Sequence, residues 1–272
     1  MAYTASTPPV IISLAGSDSF AGAGIQADLK TAHSLNVYCA TVITAITAQN
    51  SQGVHGVQTI TPALIIAQLD ALKSDLGNRI SAIKIGMLGD AQTTTTVAQY
   101  LQTHFANTPI VLDTVMKATS GGQLLDSAGR DAMIKELLPM ASIITPNLIE
   151  VGLLLNQPAA KNIAQMQTQA EALITLGARA VLLKGGHRDH VDATDILTQA
   201  AHPTQHQHFS APRIDTHHTH GTGCTLSTAI AAHLAKGETL SSACENAKQY
   251  VTHIISNAQN WQLVDNNGPL AH

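Results

Sequence analysis

Short runs rich in Val and Ile alternate along this chain with longer helical stretches, and that alternation most limits the folds open to it. Strands separated by helices in this way build βαβ units around a largely parallel sheet. Val10 to Ala15 reads as a first buried strand, running into Gly16, Gly22 and Gly24, and Ile25 to Ser34 reads as a helix. Val37 to Ala48 is strand-like and closes on Gln49-Asn50-Ser51. Pro62 opens a helix in which Ile65, Leu69, Leu72 and Leu76 share one face. Further strands are expected at Ala82 to Ile85, Ile110 to Asp113, Ser142 to Thr145 and Ala180 to Lys184, with two late helices after Gly223 and after Glu238. No linker, composition break or repeat divides the chain, so residues 1–272 read as one α/β domain.

In open α/β sheets ligands collect outside the carboxyl ends of the strands. Asp18, Gln49, Met87, Asp113, Asn147 and Lys184 lie at or just past such ends and could share one cleft. No Walker sequence follows Gly16, and Gly16, Gly22 and Gly24 miss the dinucleotide-binding spacing, so any nucleotide must be held differently. The net charge of −4 and the absence of a basic stripe exclude the usual nucleic-acid binders. Met1 to Pro9 lacks an apolar signal core and no apolar run reaches the length of a membrane span, so a cytoplasmic protein with no membrane partner is expected. Cys39, Cys224 and Cys244 are odd in number and far apart, which fits neither a disulfide framework nor a Cys-x-x-Cys metal site. The clusters at His202, His206, His208 and at His217, His218, His220 lack metal-ligand spacing, and Pro203 suggests a solvated loop; only His220 is placed to matter.

That placement is inside Thr219-His220-Gly221-Thr222-Gly223-Cys224-Thr225, which leads into the apolar run Leu226 to Leu234. Two glycines allow a tight turn, and the amides of Gly221 to Cys224 can then converge at the positive end of a helix, where an anion such as phosphate is favoured. The helix dipole would also lower the Cys224 thiol pKa and supply a base beside the anion. The plainer reading is a glycine turn capping a buried helix, with Cys224 as a small core residue.

Other motifs decide between them. Gly16-Ser17-Asp18, Gly22-Ala23-Gly24-Ile25-Gln26-Ala27-Asp28-Leu29-Lys30-Thr31, Val42-Ile43-Thr44-Ala45 and Ala48-Gln49-Asn50 resemble the hydroxymethylpyrimidine/phosphomethylpyrimidine kinases of thiamine biosynthesis. Ile83-Lys84-Ile85-Gly86-Met87-Leu88, Asp113-Thr114-Val115-Met116, Thr145-Pro146-Asn147-Leu148 with Glu150, Lys184-Gly185-Gly186-His187 and the glycine turn continue the match from Ile11 to Lys248. The resemblance implies a ribokinase-like three-layer α/β/α fold with a central, mostly parallel sheet, Mg²⁺ and ATP as cofactor and co-substrate, and a homodimer. It implies phosphorylation of 4-amino-5-hydroxymethyl-2-methylpyrimidine and then of its monophosphate. A pyridoxal kinase of the same branch, or a pyrimidine-binding sensor without chemistry, are the alternatives.

The resemblance also implies residue roles. Gly16, Ala23, Asp28, Gln49 and Met87 would meet the pyrimidine. The Gln49 amide can accept from the 4-amino group and donate to the adjacent ring nitrogen, or else merely cap a strand end. Asp28 is equally readable as a charge at a helix start, and Met87 as core filler. Cys224, Gly221, Thr222, Gly223 and Lys184 would carry catalysis, with Asp113, Thr219 and Lys184 at the nucleotide, although a lysine before two glycines is also ordinary on a surface. Asn147, Glu150 and Asp113 would serve Mg²⁺ directly or through its waters. The chain departs from the family at Phe20-Ala21, where small residues are usual, at Lys117 and Thr119, and at Ile149, which replaces a proline. Asn267-Gly268-Pro269 resembles a terminal Gly-x-Gly-Pro, with Asn266 in place of its first glycine.

Overall fold

The computed structural model describes residues 7–117, 122, 124–186 and 192–272. Thr119 and His187 lie outside the described residues. A nine-stranded sheet runs through the molecule in the order β3-β2-β1-β4-β5-β6-β7-β8-β9. Its strands are β1 (Val10–Asp18), β2 (Tyr38–Asn50), β3 (Gly53–Thr59), β4 (Ile80–Ile85), β5 (Ile110–Leu112), β6 (Ile143–Ile144), β7 (Ala180–Leu183), β8 (Asp192–Gln199) and β9 (His202–Pro212). The inner pairs from β2 to β7 are parallel, while β3, β8 and β9 close the edges antiparallel.

The alternation of side chains along each strand divides the core in two. Ile12, Leu14, Ile83, Ile85, Leu112, Ile144 and Val181 point to one face, where α2 (Pro62–Leu76), α3 (Ala91–His104), α4 (Ser127–Ala132), α5 (Leu148–Leu155) and α6 (Ile163–Thr175) follow in order. Ile65 and Leu69 of α2 are fully buried there, with Leu72 and Leu76 packed at its margin. Ile11, Ala82, Val111, Ile143 and Leu182 point to the other face, beneath α1 (Gly24–Ser34), α7 (Thr222–Ala235) and α8 (Leu240–Ala258). The three layers are those expected.

One reading fails. His202, His206 and His208 sit not in a loop but on β9, which pairs with β8 through most of its length. Pro203 is tolerated because β9 is an edge strand. His206 is held between Thr198 at 2.8 Å and Glu171 at 3.1 Å, so its ring packs the sheet against α6.

Candidate active site

The carboxyl ends of the parallel strands open on a cavity of about 810 Å³. Gly16, Ala23, Gln49 and Met87 line it together with Asp113, Asn147, Glu150, Lys184 and the turn from Thr219 to Cys224. Asp28 is the exception. It faces the interior beneath α7, where its carboxylate accepts from Lys84 Nζ at 2.8 and 2.9 Å, from Thr228 Oγ1 at 2.7 Å and from Ser13 Oγ at 2.5 Å. Both members of this ion pair have no solvent exposure. Burial alone would lower the Lys84 pKa, but Asp28 outweighs it and keeps the ammonium charged. Asp28 is thus corrected from a substrate contact to a cross-link joining α1, β1, β4 and α7.

Asp18, which ends β1, organises the loop that the glycines open. Its Oδ2 accepts from the amides of Gly22 at 3.0 Å and Ala23 at 2.8 Å, and its Oδ1 from Phe20 at 2.9 Å. His220 Nε2 lies 2.8 Å from the same Oδ2 and 3.2 Å from the Gln49 amide. Burial would raise the Asp18 pKa, but His220 and the backbone donors of Ala23 and Phe20 outweigh it and hold the carboxyl below its usual range. The glycine turn and this loop touch backbone to backbone. Gly221 has φ 85°, and a Cβ there would collide with Gly22 O. No other residue type fits.

Helix α7 begins at the turn. The Thr222 amide donates to Thr219 O at 3.2 Å and the Thr225 amide to Gly221 O at 2.9 Å. Among the described residues, the amides of Gly223 and Cys224 find no such acceptor and belong to residues lining the cavity. With the partial positive charge of the helix start, about half an elementary charge, they form an anion-binding end. The expected low thiol pKa does not accompany it. Burial pushes Cys224 up to about 11; the Lys84 ammonium and a Gly24 amide pull it down, while Asp28 and Asp113 oppose them. Desolvation of the thiolate is the largest of these influences.

Opposite the turn, Lys184 Nζ lies 3.1 Å from Asp113 Oδ1, which also accepts from Thr145 Oγ1 at 3.1 Å. Burial works against the Lys184 charge, but Asp113 and Glu150 raise its pKa above the ordinary value. Asn147 caps α5, its side chain accepting from Glu150 N at 2.9 Å, while Glu150 Oε2 accepts from Asn147 N at 2.8 Å and Thr114 Oγ1 at 3.1 Å. This reciprocal capping box fixes the Glu150 rotamer. Burial, only partly offset by Lys184, pushes Glu150 up to about 7. Among the described residues no three His, Cys, Asp or Glu side chains converge as a metal cage. Two neighbouring carboxylates do suit an ion such as Mg²⁺ that keeps its waters and arrives on phosphates. Asn147 holds Glu150 in place through the capping box.

Two parts of the site escaped the sequence reading. Ala211 to Thr216, at and just past the end of β9, and Val251, Thr252 and Ile255 of α8 form the far wall of the cavity, beside the Lys248–Asp195 ion pair at 2.9 Å. These residues form no motif; they meet only because α8 packs beside β9. The other part is the C-terminal strap, whose Gly268-Pro269 the sequence marked as a family motif without a role. Gly268 O accepts from His220 N at 3.0 Å and Gly268 N donates to His217 O at 3.0 Å, so the strap is stitched to the segment that enters the turn. His218, expected in solvent, is buried beneath it, with Nε2 2.8 Å from Trp261 O.

The geometry so described has known counterparts. The family model described as phosphomethylpyrimidine kinase matches residues 18–271. The hydroxymethylpyrimidine/phosphomethylpyrimidine kinase of Rhizobium meliloti is 46% identical over 263 residues, covering 97% of this chain and 96% of the relative. That of Escherichia coli is 41% identical over 262 residues, covering 96% of each. Among solved structures, an ADP complex of Bacillus subtilis pyridoxal kinase superposes with TM-score 0.87 at 33% identity, covering 98% of both chains. The phosphomethylpyrimidine kinase of Clostridium difficile gives TM-score 0.77 at 36% identity, over 90% of this chain and 99% of that one. The nine-stranded, mostly parallel sheet between two helical layers matches these structures as a ribokinase-like fold, and this chain belongs to the phosphomethylpyrimidine kinase family.

Proposed function

We propose that this protein is an ATP-dependent kinase that phosphorylates 4-amino-5-hydroxymethyl-2-methylpyrimidine and then its monophosphate, for thiamine biosynthesis. The observation that carries the reading is the placement, on one cavity, of an amide edge at Gln49 and an anion-binding helix start at Gly223 and Cys224. The first suits an aminopyrimidine, the second a transferring phosphoryl group.

Phosphoryl transfer proceeds through a loose transition state and asks a protein mainly for alignment and charge stabilisation. The amides of Gly223 and Cys224 take the developing negative charge, and Lys184, held by Asp113, adds a positive one. Cys224, pushed up to about 11 by burial, meets the hydroxymethyl group as a thiol that orients the hydroxyl, whose proton passes to an oxygen of the transferred phosphoryl group. Asp113 and Glu150 would hold Mg²⁺, and Asn147 would hold Glu150. When bound, Mg²⁺ supplies charge neutralisation on the phosphates. The wall of Val251, Thr252 and Ile255 suits the flat face of the ATP base. Exposed Tyr38 and Ile46 on β2 and Val57 on β3 support the homodimer, which light scattering on the purified protein tests.

Mass spectrometry of hydroxymethylpyrimidine incubated with protein and Mg-ATP tests the reaction. Mono- and diphosphate are expected; neither forming would overturn it. Pyridoxal is the second reading, favoured by the fold shared with Staphylococcus aureus pyridoxal kinase bound to AMP-PCP and pyridoxal, TM-score 0.87 at 31% identity. Turnover of the two substrates side by side separates the readings.

A further inference from the structure

The hydrogen bonds around His220 can be satisfied in only one way, and that way fixes what Gln49 presents to a ligand. Asp18 is ionised and can only accept. His220 Nε2, 2.8 Å from Asp18 Oδ2, must therefore carry a proton whether the ring is neutral or charged. Its Nδ1 is buried without a partner, so the ring has no second polar anchor that could turn it round. Packing holds it too, because a Cβ on Gly22 would collide with the ring.

One terminal atom of the Gln49 amide lies 3.2 Å from this protonated Nε2, and the other lies 3.3 Å from Thr47 Oγ1. The two ends of an amide exchange by a half-turn of its last bond, and the neighbours decide which end faces which. A nitrogen that already bears a proton cannot accept from an amide NH₂, so the amide oxygen faces His220 and takes the longer branch, 3.2 Å against 2.8 Å, of a proton shared with Asp18 Oδ2. The NH₂ then faces Thr47, whose single hydroxyl proton is already given to Ser17 O at 2.9 Å, leaving a lone pair to accept. Every donor in the series His220, Gln49, Thr47 finds an acceptor in this orientation. Turned the other way, two donors would face each other.

We propose that His220, anchored by Asp18, is a specificity-determining positioning residue that locks the Gln49 amide with its oxygen on the His220 side and its nitrogen on the Thr47 side. The inference rests on Gln49 reading the ring edge. The free capacity of the locked amide is one oxygen lone pair and one N–H, in that order across the cavity. A ring with an amino group beside a ring nitrogen matches this edge. Pyridoxal carries a formyl oxygen, an acceptor only, beside its ring hydroxyl, so where the amino group would donate it meets the amide lone pair with a lone pair. Discrimination then comes from an unpaired polar edge rather than from size.

A double-mutant cycle tests this, with affinity for hydroxymethylpyrimidine and for pyridoxal measured by calorimetry on wild type, His220→Leu, Gln49→Leu and the double variant. His220→Leu should weaken hydroxymethylpyrimidine binding about tenfold and pyridoxal binding hardly at all, and in the Gln49→Leu background it should cost nothing further. His220→Gln, which keeps a donor at similar reach, should restore the preference, while the shorter His220→Asn should not. If His220→Leu does not fold, this Gln and Asn pair carries the test. Independent, multiplying losses at His220 and Gln49, or a His220→Gln variant as poor as His220→Asn, would overturn the relay while leaving Gln49 as ring reader. Unchanged hydroxymethylpyrimidine affinity in Gln49→Leu would remove Gln49 from ring recognition, and the relay with it.

Discussion

On the side of the sheet covered by α2 to α6, the strands present Ile12, Leu14, Ile83, Ile85, Leu112 and Val181, and the helices answer with Leu69, Leu101, Val151 and Leu173. On the side covered by α1, α7 and α8, Ile11 and Ala82 alternate with Ser13 and Lys84, and α7 and α8 bring Ala229, Ala231, Ala232, Ala243 and Ala247. The first face is held by bulk. The second is held by close approach of small residues and by the buried Asp28–Lys84 pair. Small side chains let α7 lie near the strands, so its amino end reaches their carboxyl ends. The ion pair then fixes where α7 sits, because its hydrogen bonds tolerate little sliding. The face that carries the chemistry gives up apolar area for position.

The largest effect expected on the polar face comes from Asp28→Ala, which leaves the Lys84 ammonium buried without its partner. The loss of unfolding free energy in urea should be about 3 to 5 kcal/mol. Asp28→Leu combined with Lys84→Met should recover much of it, and simple addition of the two single losses would show that the charges do not act as a pair. On the apolar face, Leu101→Ala should cost about 3 kcal/mol by the same measurement. The folded variant should keep both substrate KM values, and a changed KM would erase the contrast between the faces.

A smaller effect is expected where the strap meets the turn. A side chain on Gly268 would run into His218 Nδ1, so Gly268→Ala should cost about 1 to 3 kcal/mol and lower kcat more than it raises KM. Adding His218→Ala should relieve the collision. No recovery of kcat would show that the strap does not position the turn. The smallest effect concerns Cys224 reactivity. A thiol with its pKa raised to about 11 holds little thiolate at pH 7, and the fraction rises with pH until that value is passed. Alkylation of Cys224, followed by mass spectrometry, should therefore accelerate about tenfold per pH unit up to about pH 10. A plateau below pH 9 would mean that the helix start wins over burial after all.

The strand and helix pattern was legible because its periods are local: Ile65 and Leu69, four apart, predict a buried face without knowledge of what covers it. The glycine turn was legible for a similar reason, since a positive φ at Gly221 is written in the residue type. Asp28 shows where such reasoning stops. Its place beside the Gly-Ala-Gly turn is equally compatible with a ligand contact and with a buried ion pair. Only the direction in which α1 faces the sheet, toward Lys84, separates them. The β9 histidines were misread because a proline and polar residues describe a loop and an exposed edge strand alike.

The sequence by itself determined the layered α/β architecture, the glycine turn at the start of a helix and the kinase family, all of which depend on neighbours within a few residues or on motifs kept in order. Tertiary structure decided the burial of Cys224, the capping role of Asn147, the far wall of the cavity and the neighbours of the Gln49 amide. Each of these depends on groups far apart in the chain, such as Asp18 and His220. Solvation and hydrogen-bond geometry act through space, and a linear order of residues carries no distance between them.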